Sequence, residues 1–546
     1  MPGWQQPAHK ASERRWAKKS PGREVWYIQT AVREHLLEVA AKIDEPPSPE
    51  RELEIEGHLR AAEEAAKHAL LPRGPRTPEQ LNGSPFEIKD HQREALNAWQ
   101  AKGDFQGIFD LATGAGKTIT SIYGIVQMSK AVAGLTVVIA VPYQNLADQW
   151  CEVLGEFNIT PLQCYVSKAN WIDELRRRVL DVRNNATPFE AIVVVNRTLV
   201  TAEFQDAILS IPPSKLLWIG DECHHHGSEA LASALPQNAR YRIGLSATPI
   251  HYLDDQRNAR LKAYYGDVVF TYSLERAIRE HVLTPYEYFP EIVSLTDEEA
   301  DEFVQLSDEI ARQFARGDKS GGKPGPGLTA LLMKRARIVG SATNKLSALE
   351  RCLAGQKPIS HTLFYCGDGR VDVDSDYGDG DGDGDVDEPE TISLRQIEAV
   401  SRLVDRIGWK VSHFTSREGR REREQILQAF RVGLIDGMVA IRCLDEGIDV
   451  PACSTAYILA SSRVPRQFIQ RRGRILRRSP GKKLARIFDF VVVLPEGAHD
   501  GSGAARKLIQ AELKRVAEFA SLAVNRFKAY EQLRTTLTRY DLEHLL

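Results

Sequence analysis

Short apolar runs alternate with stretches of helical length along most of the chain from Phe86 onward. Each run ends at a small or polar residue and has the length of a strand. Strands that are apolar throughout and separated by helices indicate a parallel sheet that is covered on both faces. A first set of runs reads GIFDLAT, TVVIAVP, AIVVVN, KLLWIGD and RIGLSAT, and a second reads TLFYCG, KVSHFT, GMVAI, TAYILA and ARIFDFVV. The pattern therefore predicts an α/β protein with two similar domains.

The two sets of strands also divide the chain into segments. We expect an α/β domain at 79–284, a mostly helical bridge at 285–355 and a second α/β domain at 356–500. Helical spacing of apolar residues predicts a helical N-terminal extension with a linker at 24–78 and a helical C-terminal tail at 501–546.

Composition limits the class of protein. Residues 1–23 are basic and polar, which is typical of a disordered tail, with an organelle transit peptide as the alternative. No apolar run reaches the ~18 residues of a membrane span, so no membrane association is expected. The seven cysteines form no CxxC pair, which favours a reducing cytoplasm and argues against a zinc site.

The formal net charge of −3 conceals two segments of opposite sign. Residues 368–390 hold nine Asp and two Glu against one Arg, so the remainder of the chain is net basic. Residues 463–486 contain ten Lys or Arg and no acidic residue. A basic patch of this kind favours binding to a polyphosphate, and a solvated surface is the alternative.

A phosphate-binding loop is the strongest local signal. The strand-like run GIFDLAT leads into ATGAGKT (112–118), and an apolar helix follows. Gly114 and Gly116 allow the backbone N–H groups to converge on phosphate oxygens at the positive end of that helix. Lys117 is expected to contact the β and γ phosphates, and Thr118 to bind Mg²⁺. The residues predicted to hold the nucleotide here are Thr113, Gly114, Ala115, Gly116, Lys117 and Thr118.

A second polar cluster follows the apolar run KLLWIGD. Asp221 and Glu222 stand where that strand should end, which is the edge at which parallel sheets bind ligands. Asp221 is expected to hold Mg²⁺ through water, and Glu222 to orient and deprotonate the attacking water. His225 and His226, which follow His224, could suggest a metal site, but three consecutive helical positions point in different directions.

Taken in order, the motifs resemble those of superfamily 2 helicases and translocases of the DExH type over about residues 85–495. The segments that carry the resemblance are KDHQREAL, VPYQNLADQW, SATP, CLDEGIDVP and QRRGRILR, together with ATGAGKT and DECH. Leu111 replaces the first glycine of the general phosphate-loop pattern, and the family's variant AxxGxGKT accommodates it. The resemblance implies two tandem RecA-like domains that close around one ATP and its Mg²⁺.

The resemblance also implies roles for individual residues. Gln92 would read adenine, and Gly447 and Asp449 would complete the nucleotide site. Arg474 and Arg477, which share a helix face, would reach across the cleft to the γ-phosphate, a contact worth roughly 10³–10⁵ in rate. Coupling to domain movement would involve Ser246, Thr248 and Gln470, and contacts to nucleic acid would involve Pro142, Gln144, Arg442 and Arg466.

One position departs from the family pattern. Ile441 stands where members often have a Thr that contacts a backbone phosphate. Because Ile cannot form that hydrogen bond, we expect a weaker or rearranged grip there, in which Arg442 takes part.

A nearer resemblance is to XPB-like and restriction-type helicases, in the segment after SATP and in RQFIQRRGRILRRSPGKKLARIFDF. It implies DNA as the substrate and other protein subunits of a restriction, modification or phage-defence system as partners. The sequence has no constellation typical of a nuclease. A repair or RNA-remodelling helicase, and a scaffold with a degenerate ATPase, are the alternatives.

The acidic insert contains a sequence similar to an EF-hand loop. Asp379, Asp381, Asp383 and Glu390 occupy the first, third, fifth and twelfth positions of that loop. Against Ca²⁺ binding, no helix precedes the segment, and repeated Gly-Asp pairs are also typical of a solvated low-complexity loop. We favour the solvated loop. A second hypothesis is that the acidic loop competes with nucleic acid for the basic cleft.

Overall fold

The computed structural model describes residues 74–545 except 82, 250–253, 316–318, 321–322, 325, 367–387, 416–417, 442–452, 460–472, 474 and 499–502. Residues 75–546 form one compact unit. The predicted basic tail, the N-terminal helices and most of the acidic insert lie outside the described residues. Among the described residues, no helix is both long and apolar enough to cross a membrane.

The first half of the described chain builds a seven-stranded, all-parallel sheet in the order β5-β6-β4-β7-β8-β3-β9. A short antiparallel pair, β1 (Gln80–Leu81) and β2 (Ser84–Pro85), precedes it. The sheet strands are β3 (Gln106–Leu111), β4 (Leu135–Val141), β5 (Leu162–Cys164), β6 (Phe189–Val195), β7 (Leu216–Gly220), β8 (Tyr241–Ser246) and β9 (Val268–Tyr272). Every residue of β4 is buried, as expected for a strand covered on both faces.

Helices cover both faces of this sheet. They are α1 (Asp90–Ala101), α2 (Lys117–Ala131), α3 (Gln144–Glu156), α4 (Lys168–Arg183), α5 (Asn196–Leu199), α6 (Ala202–Leu209), α7 (Glu229–Ala234), α8 (Asp255–Tyr265) and α9 (Leu274–Arg279), with 3₁₀ turns at Pro213–Lys215 and Cys223–Gly227. The five predicted strands of the first set are all present. The sequence prediction missed β5 and β9, because these outer strands are short or only half-buried and lack a continuous apolar run.

The second half builds a six-stranded parallel sheet in the order β10-β17-β16-β13-β15-β14. Its strands are β10 (Tyr286–Ser294), β13 (Thr362–Cys366), β14 (Val411–Phe414), β15 (Gly437–Ile441), β16 (Thr455–Ile458) and β17 (Ala485–Val493), and a small pair, β11 (Lys319–Ser320) and β12 (Lys323–Pro324), lies outside it. The helices are α10 (Asp297–Ala315), α11 (Pro326–Gly340), α12 (Asn344–Leu353), α13 (Glu388–Arg406), α14 (Arg420–Arg431), α15 (Ala504–Ser521) and α16 (Arg526–Arg539), with a 3₁₀ turn at Glu543–Leu545. Two parallel sheets with helices on their faces are the architecture of tandem RecA-like domains.

The stretch that the sequence predicts to be a mostly helical bridge begins instead with strand β10. Its residues alternate, with Tyr286 and Tyr288 fully buried and Glu287 and Phe289 half-buried, which is the pattern of an edge strand with two different faces. The prediction was wrong for these nine residues because their pairing partner, β17, follows about 200 residues later in the chain.

The C-terminal tail is helical, as predicted, and it protects the exposed edge of β10. Val524 donates its N–H to the Tyr286 carbonyl at 2.8 Å. The Asn525 amide accepts from Tyr288 N at 2.8 Å and donates to Tyr288 O at 3.0 Å. Pro290 removes one further N–H from the same strand. The strand therefore offers few backbone groups for pairing with another chain.

Candidate nucleotide and motor site

The phosphate loop lies where β3 ends and α2 begins. Gly114 and Gly116 have φ values of 85° and 88°, a region that favours glycine, and Gly116 directly precedes α2. A Cβ at Gly116 would lie 2.6 Å from the Gln92 side-chain nitrogen. The loop therefore needs glycine for both its conformation and its packing. Thr118 occupies the first turn of α2, where the free N–H groups and the helix dipole favour an anion.

Lys117 and Glu222 form an ion pair across the candidate site. Lys117 Nζ lies 3.1 Å from Glu222 Oε1, and the two side chains are 11% and 20% exposed. Glu222 has φ 44° and ψ 49°, a left-handed conformation that costs free energy for a residue with a side chain. The strained backbone turns the carboxylate toward the phosphate loop.

Asp221, at the end of β7, is almost fully buried. Its N–H donates to the Ala140 carbonyl at 2.9 Å, which extends the sheet by one residue. Its Oδ2 accepts from Trp150 Nε1 at 2.8 Å and its Oδ1 accepts from Glu222 N at 3.0 Å. Burial and the neighbouring Glu222 carboxylate raise the pKa of Asp221, while the Lys117 ammonium and the Trp150 hydrogen bond oppose that shift.

His224 connects this cluster with β8. Its Nδ1 lies 3.2 Å from Ser246 Oγ and 3.4 Å from Glu222 Oε2. Ser246 Oγ in turn accepts from Thr248 N at 3.1 Å. A continuous chain of polar contacts therefore runs from Glu222 to the two residues predicted to couple hydrolysis to movement.

The residue predicted to read adenine, Gln92, is buried beside the phosphate loop. Its amide donates to Gly116 O at 3.3 Å and accepts from Lys89 N at 3.0 Å. Its neighbour His91 lies 2.9 Å from Ala115 O through Nε2 and stacks on Tyr272 with a 4.1 Å centroid distance. Helix α1 thus contacts the backbone of the phosphate loop through the side chains of Gln92 and His91.

The candidate nucleic-acid contacts Pro142 and Gln144 lie at the start of α3. Gln144 donates to the Tyr165 carbonyl at 2.9 Å. Tyr143, between them, is 41% exposed, which leaves an aromatic surface at this helix start.

The second half of the chain contacts the phosphate loop directly. A Cβ at Gly473 would lie 2.5 Å from Thr113 Cβ, so only glycine fits at this approach. A Cβ at Gly114 would lie 2.9 Å from Arg477 Cγ. Thr284 N donates to the Leu476 carbonyl at 2.7 Å, which holds the same segment against the start of the second sheet. Of the two predicted arginines, Arg477 lies beside the loop, and Arg474 lies outside the described residues.

Other predicted site residues cannot be placed in the described structure. The predicted residues that lie outside the described ranges are Gly447, Asp449, Gln470, Arg442, Arg466, Asp379, Asp381 and Asp383. Glu390 falls within α13. Within the described ranges, no group of three or more His, Cys, Asp or Glu side chains is arranged to hold a metal ion.

The donor set nevertheless fits Mg²⁺ bound together with a nucleotide. Magnesium takes oxygen ligands and usually keeps several waters, relying on one or two carboxylates plus substrate phosphates. The Asp221 carboxylate and the Thr118 hydroxyl are oxygens of that kind. They flank a loop whose glycine conformations and helix N-terminus suit phosphates.

Sequence reasoning missed three residues around this site. Trp150 and His91 reach the site from neighbouring helices, and no local pattern reports such contacts. Asp110, near the end of β3, has its pKa raised to about 6 by burial, with the Lys117 ammonium and the Thr271 hydrogen bond opposing the rise. Trp150, in the segment VPYQNLADQW, and His91, in KDHQREAL, stand within motifs that could have indicated a role.

Comparisons with known proteins agree with this geometry. A family model described as "Type III restriction enzyme, res subunit" matches residues 85–251, and one described as "Helicase conserved C-terminal domain" matches 390–479. The chain is 26% identical over 404 residues to the DNA 3'-5' translocase XPB2 of Sulfurisphaera tokodaii, covering 73% of this chain and 80% of that protein. It is 34% identical over 97 residues to UvrABC system protein B of Symbiobacterium thermophilum, which is 17% of this chain and 15% of that protein.

Among solved structures, the chain is similar to the ATP-dependent Type ISP restriction-modification enzyme LlaBIII bound to DNA. The TM-score is 0.51 at 17% identity, and the match covers 84% of this chain. The chain spans a third (33%) of that enzyme's length, and the likeness concerns the fold.

Proposed function

Because the chain is a superfamily 2 helicase or translocase that hydrolyses ATP, we propose that it converts this hydrolysis into movement along DNA or remodelling of DNA. The observation that carries the proposal is the cluster of Lys117, Glu222 and Asp221 at the phosphate loop, with residues of the second half packed against that loop.

The ion pair between Lys117 and Glu222 suggests how nucleotide binding prepares the base. A terminal phosphate carries more negative charge than one carboxylate and competes for the Lys117 ammonium. Glu222 then accepts the proton of the attacking water, a role worth about 10²–10⁴ in rate. His224 holds Glu222 from its other oxygen and keeps it oriented while Lys117 moves.

Asp221 and Thr118 would hold the Mg²⁺ that accompanies the nucleotide. When bound, the ion neutralises charge on the β and γ phosphates. Because the Asp221 oxygens accept hydrogen bonds from Trp150 and Glu222, the carboxylate keeps one orientation.

Closure of the second half supplies the remaining charge. Arg477 lies beside Gly114, and we assign it, with Arg474, to stabilising the γ-phosphate in the transition state. Hydrolysis would then require that the two halves meet at the loop, and product release would let them separate. Repeated closing and opening would move the nucleic-acid contacts of one half relative to those of the other half.

The DNA assignment rests on the named relatives. The translocase from Sulfurisphaera tokodaii is named for DNA, and the first family model is that of a restriction subunit. The latter supports a place in a restriction or phage-defence system, with other protein subunits as partners. A repair role is the second candidate, favoured by the shorter match to UvrABC system protein B.

The test is the nucleic-acid dependence of ATP hydrolysis by the full chain. We expect stimulation by single-stranded or duplex DNA that exceeds stimulation by RNA of equal length. Stronger stimulation by RNA would favour an RNA-remodelling helicase. Equal turnover by wild type and a Lys117→Ala variant would instead indicate that the assigned site does not hydrolyse ATP.

A further inference from the structure

Both oxygens of the Asp221 carboxylate are held by donors from the protein. Trp150 Nε1 donates to Oδ2 at 2.8 Å, and the Glu222 N–H donates to Oδ1 at 3.0 Å. Trp150 is 1% exposed and Asp221 is 5% exposed, so water has little access to this hydrogen bond. A carboxylate held in this way cannot rotate without breaking a buried hydrogen bond, which costs about 1–3 kcal/mol when the group stays unsatisfied.

Trp150 belongs to helix α3, which starts at the candidate nucleic-acid contact. Gln144, the first residue of α3, precedes Trp150 by less than two turns, or about 9 Å along the helix axis. Tyr165 fastens this half of the helix twice, since its carbonyl accepts from Gln144 at 2.9 Å and its hydroxyl donates to Asp148 at 2.8 Å. A displacement at the start of α3 is therefore transmitted to the indole rather than absorbed by a loop.

We propose that Trp150 is a positioning residue through which helix α3 sets the orientation of the Asp221 carboxylate. The inference rests on the proposed function, in which nucleic acid contacts the start of α3 and Asp221 holds Mg²⁺. Nucleic acid that shifts α3 would then change the affinity for Mg²⁺, and by linkage Mg²⁺ would change the affinity for nucleic acid by the same factor. Because Trp150 is 1% exposed and donates its Nε1 to Asp221, we assign it to act through Asp221.

A second buried tryptophan in the same half of the chain provides a matched control. Trp218, on β7, is fully buried and donates its Nε1 to the Tyr265 hydroxyl at 3.0 Å. It therefore loses the same N–H and the same volume on substitution by Phe, but its partner belongs to the core. Comparing Trp150→Phe with Trp218→Phe separates loss of positioning from loss of packing.

The experiment measures the Mg²⁺ dependence of nucleotide binding with a fluorescent ATP analogue, with and without duplex DNA. For Trp150→Phe we expect the Mg²⁺ concentration at half-maximal binding to rise by about 10–100-fold, the usual effect of losing a residue that orients a metal ligand. Binding without Mg²⁺ should stay unchanged, and Trp218→Phe should match wild type in both. If Trp150→Phe folds poorly, benzothienylalanine at position 150 takes its place, because it keeps the ring shape and removes the N–H. It should raise the Mg²⁺ concentration at half-maximal binding by the same factor.

Two outcomes overturn the inference. An unchanged Mg²⁺ midpoint in both position-150 variants would show that the indole does not orient Asp221. If the Mg²⁺ midpoint rises in these variants but DNA shifts it by the same factor as in wild type, the coupling does not pass through Trp150. If no nucleic acid stimulates ATP hydrolysis by the wild type, the proposed function fails. The Mg²⁺ midpoints measured without DNA still decide whether Trp150 positions Asp221.

Discussion

Each half of the molecule has a lysine with little exposed surface, 11% of the side chain at Lys117 and none at Lys345, and the two lysines have different partners. Lys117, after the first β-strand of the larger sheet, pairs with the Glu222 carboxylate. Lys345, at the start of α12, is fully buried and donates to the carbonyls of Val339, Gly340 and Leu459, with distances of 2.6 Å, 3.2 Å and 2.5 Å. Burial lowers the pKa of Lys345 to about 7, and Asp489 opposes that shift.

The difference concerns what each ammonium can do. The partner of Lys117 is the side chain that we propose as the catalytic base, and under that proposal a substrate phosphate replaces it. The partners of Lys345 are backbone carbonyls at the end of α11 and directly after β16, and of these the Gly340 carbonyl also accepts from the Gln396 amide at 2.8 Å. Buried carbonyls that lose their donor destabilise the fold. We therefore expect Lys117 to contribute to activity and Lys345 to contribute to stability.

The largest expected effect is the loss of ATP turnover when either member of the Lys117–Glu222 ion pair is replaced. Glu222→Gln removes the proposed base and should lower turnover by about 10²–10⁴-fold. The free energy of unfolding should change by less than about 1 kcal/mol, because the ion pair is partly exposed. Lys117→Ala should behave in the same way, and Lys130→Ala, an exposed lysine on the same helix, should match wild type in steady-state assays.

The second lysine should show the reverse pattern. Lys345→Met removes the ammonium that donates to the Val339 and Leu459 carbonyls and should lower the free energy of unfolding by about 1–3 kcal/mol. Turnover by the folded protein should remain near that of wild type. Lys410→Met, at an exposed position in the same half, is the control and should be nearly neutral in chemical denaturation. A loss of turnover without a loss of stability at Lys345 would reverse the comparison.

His226 tests whether the type of partner or nearness to the site decides the role. It follows the DECH residues closely, yet it is fully buried between the Tyr265 hydroxyl at 2.7 Å and the Asn196 side chain at 3.2 Å. We expect it to resemble Lys345, because its partners belong to the core.

Burial, with a smaller effect of His225, lowers the pKa of His226 from 6.5 to about 3. Its contribution to stability is complete above pH 6.5 and is lost as the pH falls toward 3, since the unfolded chain then binds a proton that the folded protein excludes. The loss should reach about 2 kcal/mol between pH 7 and pH 5. A His226→Gln variant should show a shallower pH dependence of the unfolding midpoint, and His413→Gln, at an exposed histidine, should retain the wild-type slope.

The smallest expected effect is at Ile441, the last residue of β15. Ile441→Thr adds a hydroxyl at the edge of the second sheet where the family often contacts a backbone phosphate. One added hydrogen bond should raise DNA affinity by no more than about tenfold. Unchanged affinity and unchanged stimulated ATPase would show that the position does not contact the strand.

The sequence predicted those parts of the molecule whose signal is local. Continuous apolar runs located ten strands, and the glycines and lysine of ATGAGKT located the phosphate loop, because both patterns lie within a few neighbouring residues. The alternating strand β10 was missed because its partner strand is distant in sequence. Trp150 was missed because its hydrogen bond joins residues 71 positions apart, which no periodicity reports.

The most direct test of the comparison is ATP turnover in the presence of DNA for Glu222→Gln and Lys345→Met, with the unfolding midpoint measured on the same samples. We predict that Glu222→Gln loses ATP turnover and keeps the wild-type unfolding midpoint. Lys345→Met should keep ATP turnover and have a lower unfolding midpoint. Wild-type turnover in Glu222→Gln would contradict the assignment of the catalytic base and, with it, the account of the site.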